Sequence, residues 1–264
     1  MSLPVVKRRK NALKRAQINQ IRDQLRRWYT TSMVGRTLLQ QEREQLEPVL
    51  NTLFGYHAVQ VGCLPGEDLL NQCRIPHRVV MDPDPGKPAH AVLCAYPDAL
   101  PIQSDTVDVV VLPHTLEFER APHEILREVD RVLIPEGHVL ILGFNPWSLW
   151  GLMALLRGRH KHPDPPWCGK FLSQTRLKDW LALLGFKVVL TREFFFRPPV
   201  QNEGLLRRLR FMERLGAKYW PRMGGGYLLL AQKRVFTLTP IRPRWRARRS
   251  MVGKLAEPTA RTLP

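Results

Sequence analysis

Gly62 and Gly66 stand four apart in V-G-C-L-P-G-E-D, and Asp82 closes H-R-V-V-M-D twenty residues after Gly62. Glycines that follow a strand let the backbone approach a ligand closely and present amide donors at a helix start. A carboxylate ending the next strand can accept two hydrogen bonds from a ribose diol, and this spacing suits strand, loop, helix and strand. D-P-D-P-G is also turn chemistry, which leaves Asp82 a second reading as a turn residue. The loop is not the dinucleotide fingerprint G-x-G-x-x-G, because Leu64 and Glu67 occupy the second and third glycine positions.

His114 and Glu117 follow the β-branched run Val107–Leu112, at a strand end where a base can reach an acceptor hydroxyl. The plainer alternative has Glu117 opening the next helix and His114 packing against a bound cofactor. No C-x-x-C spacing or histidine pairing accompanies the four cysteines at 63, 73, 94 and 168, so neither a zinc site nor a disulfide framework is indicated.

These residues need a sheet to hold them. Val107–Leu112 has the pattern of a strand buried on both faces. Ile125, Val129, Val132 and Leu133 recur at helical spacing, Pro135 and Gly137 are read as the stop, and Val139–Phe144 begins another buried strand. That is a right-handed βαβ crossover. His57–Gly62, His77–Asp82 and the weaker Ala89–Ala95 supply three earlier strands, with a helix expected to begin over Gly66–Cys73. Phe186–Phe195 and Gly226–Lys233 supply two later ones, around a basic helical stretch near 203–217. Ser173 and Gly185 bracket a helix as N-cap and C-cap. Strands alternating with helices predict a doubly wound, Rossmann-like α/β fold with a seven-stranded sheet. Trp28–Leu53 reads as one or two helices preceding it, with Trp28, Leu38, Leu39, Leu46 and Leu50 on a buried face.

Trp147, Leu149, Trp150, Leu152, Met153, Leu155 and Leu156 form an apolar stretch flanked by Arg157 and Arg159. It is either a core-packed helix or a lid that covers substrate or touches lipid. The formal charge of +18 is concentrated at the ends: residues 1–27 and 233–264 carry +8 each, leaving +2 for the 205 between them. Such basic arms attract a polyanion, whether nucleic acid or an anionic membrane surface, or else remain solvated tails. No apolar run is long enough to span a bilayer, and K-R-R-K stands where a signal peptide needs its apolar core, so a soluble cytoplasmic protein is expected.

V-Q-V-G-C-L-P-G, V-V-M-D, A-L-P-I-Q-S-D-T-V-D-V-V-V and H-T-L-E-F with I-L-R-E-V-D-R-V-L-I-P-E-G together resemble the class I S-adenosylmethionine-dependent methyltransferases, in particular their type-11 domain. G-F-N-P-W-S-L-W-G-L and R-L-K-D-W-L-A-L-L-G-F resemble the YafS-like bacterial proteins of that class. The resemblance implies S-adenosylmethionine as cofactor and a small-molecule methyl acceptor. It places Gly62, Cys63 and Gly66 along the methionine part, Asp82 at the ribose, and Pro113 with His114 beside the sulfonium. Leu64 stands where the family usually has a glycine, Gln60 where it has an acid, and Tyr96 where it has the carboxylate partner of the adenine amine. The implied cofactor-binding set is Gly62, Cys63, Leu64, Gly66, Asp82, Tyr96 and Pro113, with His114 the candidate catalytic residue. Those three departures carry the alternative of a methyltransferase fold serving as a scaffold or polyanion-binding protein. The expected division is a basic arm with cap helices over 1–54, the methyltransferase-like domain over 55–236, and a basic, disordered tail over 237–264.

Overall fold

A computed structural model describes residues 18–62, 68–83, 93–157 and 166–235. Cys63, Leu64 and Gly66, the first part of the expected strand at 89–95, Arg159, and the expected tail lie outside the described residues.

Seven strands form one sheet: β1 (His57–Val61), β2 (His77–Asp82), β3 (Leu93–Cys94), β4 (Val107–Pro113), β5 (Leu133–Phe144), β6 (Phe186–Phe194) and β7 (Gly226–Lys233). Their spatial order is β3-β2-β1-β4-β5-β7-β6. β1 pairs in parallel with β2 and β4, and β4 with β5, while β7 runs antiparallel between β5 and β6. The order reverses at β1 and β4, the place where open sheets of this kind form a ligand crevice beyond their carboxyl ends. Asp108, an acid in a buried run, accepts the backbone N–H groups of Tyr56 and His57 at 2.9 Å each and so fixes the start of β1 beside β4.

Strand side chains alternate between two cores. On one face Val109, Val111, Leu140 and Leu142 pack with Trp150 and with Leu25, Tyr29, Leu38 and Leu46 of the N-terminal helices. On the other, Val110, Leu112, Val139 and Ile141 pack with α4 (Pro122–Val132) and α6 (Gln174–Leu183). Ser173 caps α6 by accepting the Arg176 N–H, and Gly185 takes the expected positive φ of +82° at its end.

Helix α1 covers residues 18–31 and α2 spans Met33–Leu50. They part at Ser32, whose hydroxyl accepts the Gly35 N–H at 2.8 Å as N-cap of α2. A side chain at Gly35 would collide with the Trp28 carbonyl and the Tyr29 backbone, so the glycine lets the two helices fold tightly at this corner.

Three expectations change. Residues 68–73 form turns rather than a helix, because the Asp68 carboxylate captures the Leu70 N–H at 2.8 Å and diverts it from a helical ladder. β5 begins at Leu133, directly after α4, so Pro135 and Gly137 fall within it. They occupy the irregularity between the Val107–Leu133 and Val109–His138 pairings. The basic stretch near 203–217 is two helices, α7 (Glu203–Arg208) and α8 (Phe211–Tyr219).

Candidate functional site

Gly62 follows β1 with φ +90°, a conformation that L side chains rarely adopt, and its N–H donates to the Met81 carbonyl at 2.8 Å. A Cβ there would lie 2.8 Å from the Thr115 hydroxyl oxygen, which itself donates to the Val61 carbonyl at 2.6 Å. Gln60, fully buried, spans the mouth of the glycine loop: its amide NH2 donates to the Gly62 carbonyl at 3.1 Å and its oxygen accepts the Leu69 N–H at 2.9 Å. An acid at this position would accept from Leu69 but could not donate to Gly62. The departure from the family's usual acid therefore has a structural use here.

Asp82 ends β2 and is 1 % exposed, roofed by α1. Arg22, Arg26 and Tyr29 are spaced four and three residues apart, which puts them on one helix face. Each meets a carboxylate of another element. Arg22 pairs with Glu119, Arg26 Nη2 lies 2.6 Å from Asp82 Oδ2, and the Tyr29 hydroxyl donates to Glu42 at 3.0 Å. Sequence reading counted Arg22 and Arg26 in the basic arm; in the structure both are buried.

His114 follows β4 in the left-handed region, φ 53° and ψ 17°, which is uncommon outside glycine and gathers at functional sites. It is 1 % exposed. Its Nε2 lies 2.9 Å from Glu42 Oε1 of α2, its Nδ1 2.8 Å from Glu117 Oε2 of α3 (Thr115–Phe118), and its ring stacks on Phe144 at 4.2 Å. The other oxygen of Glu117 accepts the Phe144 N–H. Burial alone would lower the His114 pKa, but the Glu42 charge and the hydrogen bonds to Glu117 and Glu42 raise it to about 10. Burial pushes the Glu117 carboxyl up, against the opposing pull of His114. Both ring nitrogens are engaged, so this arrangement gives His114 no free lone pair with which to act as a general base.

Pro113 ends β4 beside Leu142, with His114 N–H donating to the Leu142 carbonyl. Tyr96, after β3, is partly exposed and bridges to Ala99. Helix α5 (Leu149–Arg157) divides its apolar residues: Trp150 is buried against Phe144 and Phe195, whereas Trp147 before the helix and Leu152, Leu155 and Leu156 within it are exposed. The exposed side borders a groove of about 720 Å³ lined by Trp147, Leu152, Leu155, Trp167, Phe171 and Met223, within the size range of small-molecule sites. Among the described residues no cluster of His, Cys, Asp or Glu could hold a metal ion.

A methyltransferase-domain family model matches residues 59–141, which contain most of β1, all of β2 to β4 and most of β5. The YafS protein of Escherichia coli (strain K12) is 34 % identical over 195 residues, covering 74 % of this chain and 75 % of YafS. The chain belongs to the YafS family and carries a methyltransferase domain. An S-adenosylmethionine-dependent methyltransferase structure from Thermotoga maritima superposes with a TM-score of 0.59 at 15 % identity, over 79 % of this chain and 93 % of that one. One from Archaeoglobus fulgidus gives 0.51 at 18 % identity, over 75 % and 94 %. At these identities the two structures attest the Rossmann-like methyltransferase fold.

Family and fold imply S-adenosylmethionine as the cofactor. The described residues suit it at three points. Asp82, buried at the end of β2 with Arg26 at one of its oxygens, is the kind of acceptor that a ribose diol requires. Arg22 Nη1 is a buried donor, and Glu42 Oε2 a buried acceptor, each with no hydrogen-bond partner among the described residues. The leftover donor complements a carboxylate and the leftover acceptor an ammonium, the two charged groups of an amino-acid moiety.

Four of these residues escaped sequence reading. Arg22, Arg26 and Tyr29 left a trace in their shared helical face, and Glu42 in its place among Leu38, Leu39 and Leu46 on the buried face of α2.

Proposed function

We propose that the chain transfers the methyl group of S-adenosylmethionine to an apolar small-molecule acceptor that enters beside α5. The observation that carries this reading is the buried Asp82 carboxylate at the reversal of strand order, under a roof whose inner face still has unpaired polar atoms.

S-adenosylmethionine brings a methyl group already made electrophilic by its sulfonium. Asp82 would hold the ribose diol, Arg22 and Glu42 the amino-acid end, and Gly62 would bring the backbone close at the start of the loop. Tyr96 lies toward the adenine side by its place after β3, and Pro113 forms part of the wall. His114 is a positioning residue in this scheme: as a cation between Glu42 and Glu117 it pins α2 to the end of β4. The roof of α1 and α2 excludes water, and the enzyme's contribution is alignment of acceptor and methyl, which oriented reactions show to be worth several powers of ten. The exposed apolar lining of the α5 groove favours an acceptor with a large hydrocarbon part.

The test is incubation with S-adenosylmethionine labelled in its methyl group and a fractionated lipid and quinone extract, followed by phase partition. Label in an organic-phase product, lost with Asp82→Ala, is expected. Label confined to polar metabolites, RNA or protein would overturn the apolar acceptor.

One observation favours a second reading, a scaffold that does not take the cofactor: Arg26 already neutralises Asp82 within hydrogen-bonding distance. Under that reading the protein binds no S-adenosylmethionine even with Arg26→Gln.

A further inference from the structure

Helix α8 carries an apolar stripe that is open to solvent. Phe211, Leu215 and Tyr219 recur every fourth residue and are all exposed. The opposite side fixes the orientation. A side chain at Gly216 would overlap the Phe196 ring, while the Glu213 carboxylate accepts the Phe196 N–H at 3.2 Å and pairs with Arg197 at 2.8 Å. The stripe must therefore face outward. Arg214 and Lys218, each one position before a stripe residue, rim it with positive charge.

The stripe leads into the α5 surface. Trp220 follows α8 and is exposed, and the Met223 N–H donates to its carbonyl at 2.9 Å. Met223 lines the α5 groove together with Trp147, which is 76 % exposed, and Leu155, which is 62 % exposed. Asn145 ties the two segments: its amide NH2 donates to the Arg222 carbonyl at 2.9 Å, and its oxygen accepts the Trp147 N–H at 3.0 Å. Asn145-Pro146-Trp147 is thus the joint between α5 and the turn after α8.

We propose that this combined face docks on an anionic lipid bilayer, with Trp147, Leu155, Phe211, Leu215 and Trp220 entering the headgroup region. Aromatic and aliphatic side chains gain by leaving water at the acyl boundary, and cations beside them meet lipid phosphates. Residues 203–222 supply six cations, Arg207, Arg208, Arg210, Arg214, Lys218 and Arg222, against Glu203 and Glu213, both of which already pair with arginine. Charge complementarity selects an anionic surface. The exposed leucines select lipid over nucleic acid, whose bases stack on aromatic rings but give leucine nothing comparable. The groove opens onto the same face, so a membrane-dissolved molecule would meet it without crossing water. Docking itself needs no cofactor and stands apart from the methyl-transfer reading.

The experiment is flotation of the full chain with vesicles of phosphatidylcholine alone or mixed with phosphatidylglycerol, without cofactor. Binding to the mixed vesicles, weaker to the neutral ones and reduced but not abolished by salt, is expected. The triple variant Phe211→Ser, Leu215→Ser, Trp220→Ser should weaken it by at least about tenfold, a modest loss for three buried apolar side chains. Its melting temperature should stay unchanged because the replaced side chains are exposed. Wild-type binding in the triple variant would assign the attraction to the basic termini and overturn the proposal. So would failure to float with anionic vesicles alongside tight binding of single-stranded RNA.

Discussion

Replacing His114 by Asn isolates the charge at the centre of the roof, because asparagine tolerates the left-handed backbone that position requires. The imidazolium lies 2.9 Å from Glu42 and 2.8 Å from Glu117, all three side chains being almost wholly buried. Removing one partner of a buried ion pair typically costs about 3–5 kcal/mol, because the remaining charge is left without compensation. The asparagine amide can still donate to one carboxylate, so the lower end, about 3 kcal/mol, is expected. At roughly 2–4 °C per kcal/mol for a domain of this size, the melting temperature should fall by about 6–12 °C near neutral pH. The sign of the pH dependence follows from the raised folded pKa of about 10 against an ordinary 6.5. Below 6.5 the imidazolium's contribution is present in full. As pH rises towards 10 the folded state holds a proton that the unfolded state has lost, so the contribution fades. The gap between wild type and His114→Asn, followed by circular dichroism, should narrow over that interval. Adding Glu117→Gln to the variant should recover part of the loss, since glutamine still accepts the Phe144 N–H without a buried charge. A gap under about 1 kcal/mol at neutral pH, the range of exposed ion pairs, or one that widens as pH rises, would refute a buried cationic clamp.

Gly62→Ala should cost about 1–3 kcal/mol, from a φ of +90° and a Cβ 2.8 Å from the Thr115 hydroxyl. Chemical denaturation measures it, and a neutral effect would mean that the end of β1 is relaxed. Gln60→Glu removes the donor to the Gly62 carbonyl and should both destabilise by about 1–3 kcal/mol and weaken cofactor affinity. Calorimetry alongside thermal unfolding separates the two effects; affinity equal to wild type would show that the strap across the loop does not shape the site.

The sheet was legible because its strands are short runs of Val, Ile and Leu bounded by turn residues, a pattern that the double burial of parallel strands demands. The start of β5 was not, since Pro135 and Gly137 ordinarily end an element and here sit inside an irregular one. The positions of Gly62 just after β1 and Asp82 at the end of β2 were legible from their spacing alone. The roof was hidden for a different reason. Arg22 and Arg26 in a basic stretch look solvated, and nothing local announces that Glu119 and Asp82, 97 and 56 residues away, wait beneath them. Glu42 illustrates the same limit: a glutamate on an apolar helix face signals a buried polar contact, but only the fold supplies His114 and Tyr29 as its partners. Helix α5 was open to either reading; in the structure Trp150 is packed in the core and Leu152, Leu155 and Leu156 are exposed.

The most direct measurement is isothermal titration of the full chain with S-adenosylmethionine, for wild type and for Asp82→Ala. Saturable binding to one site in wild type is expected, weakened by at least about tenfold in the variant, the loss of about 1.4 kcal/mol for a charged acceptor of ribose hydrogen bonds. Equal affinity in the two proteins, or no binding by wild type, would contradict an adenosyl site under the α1 roof.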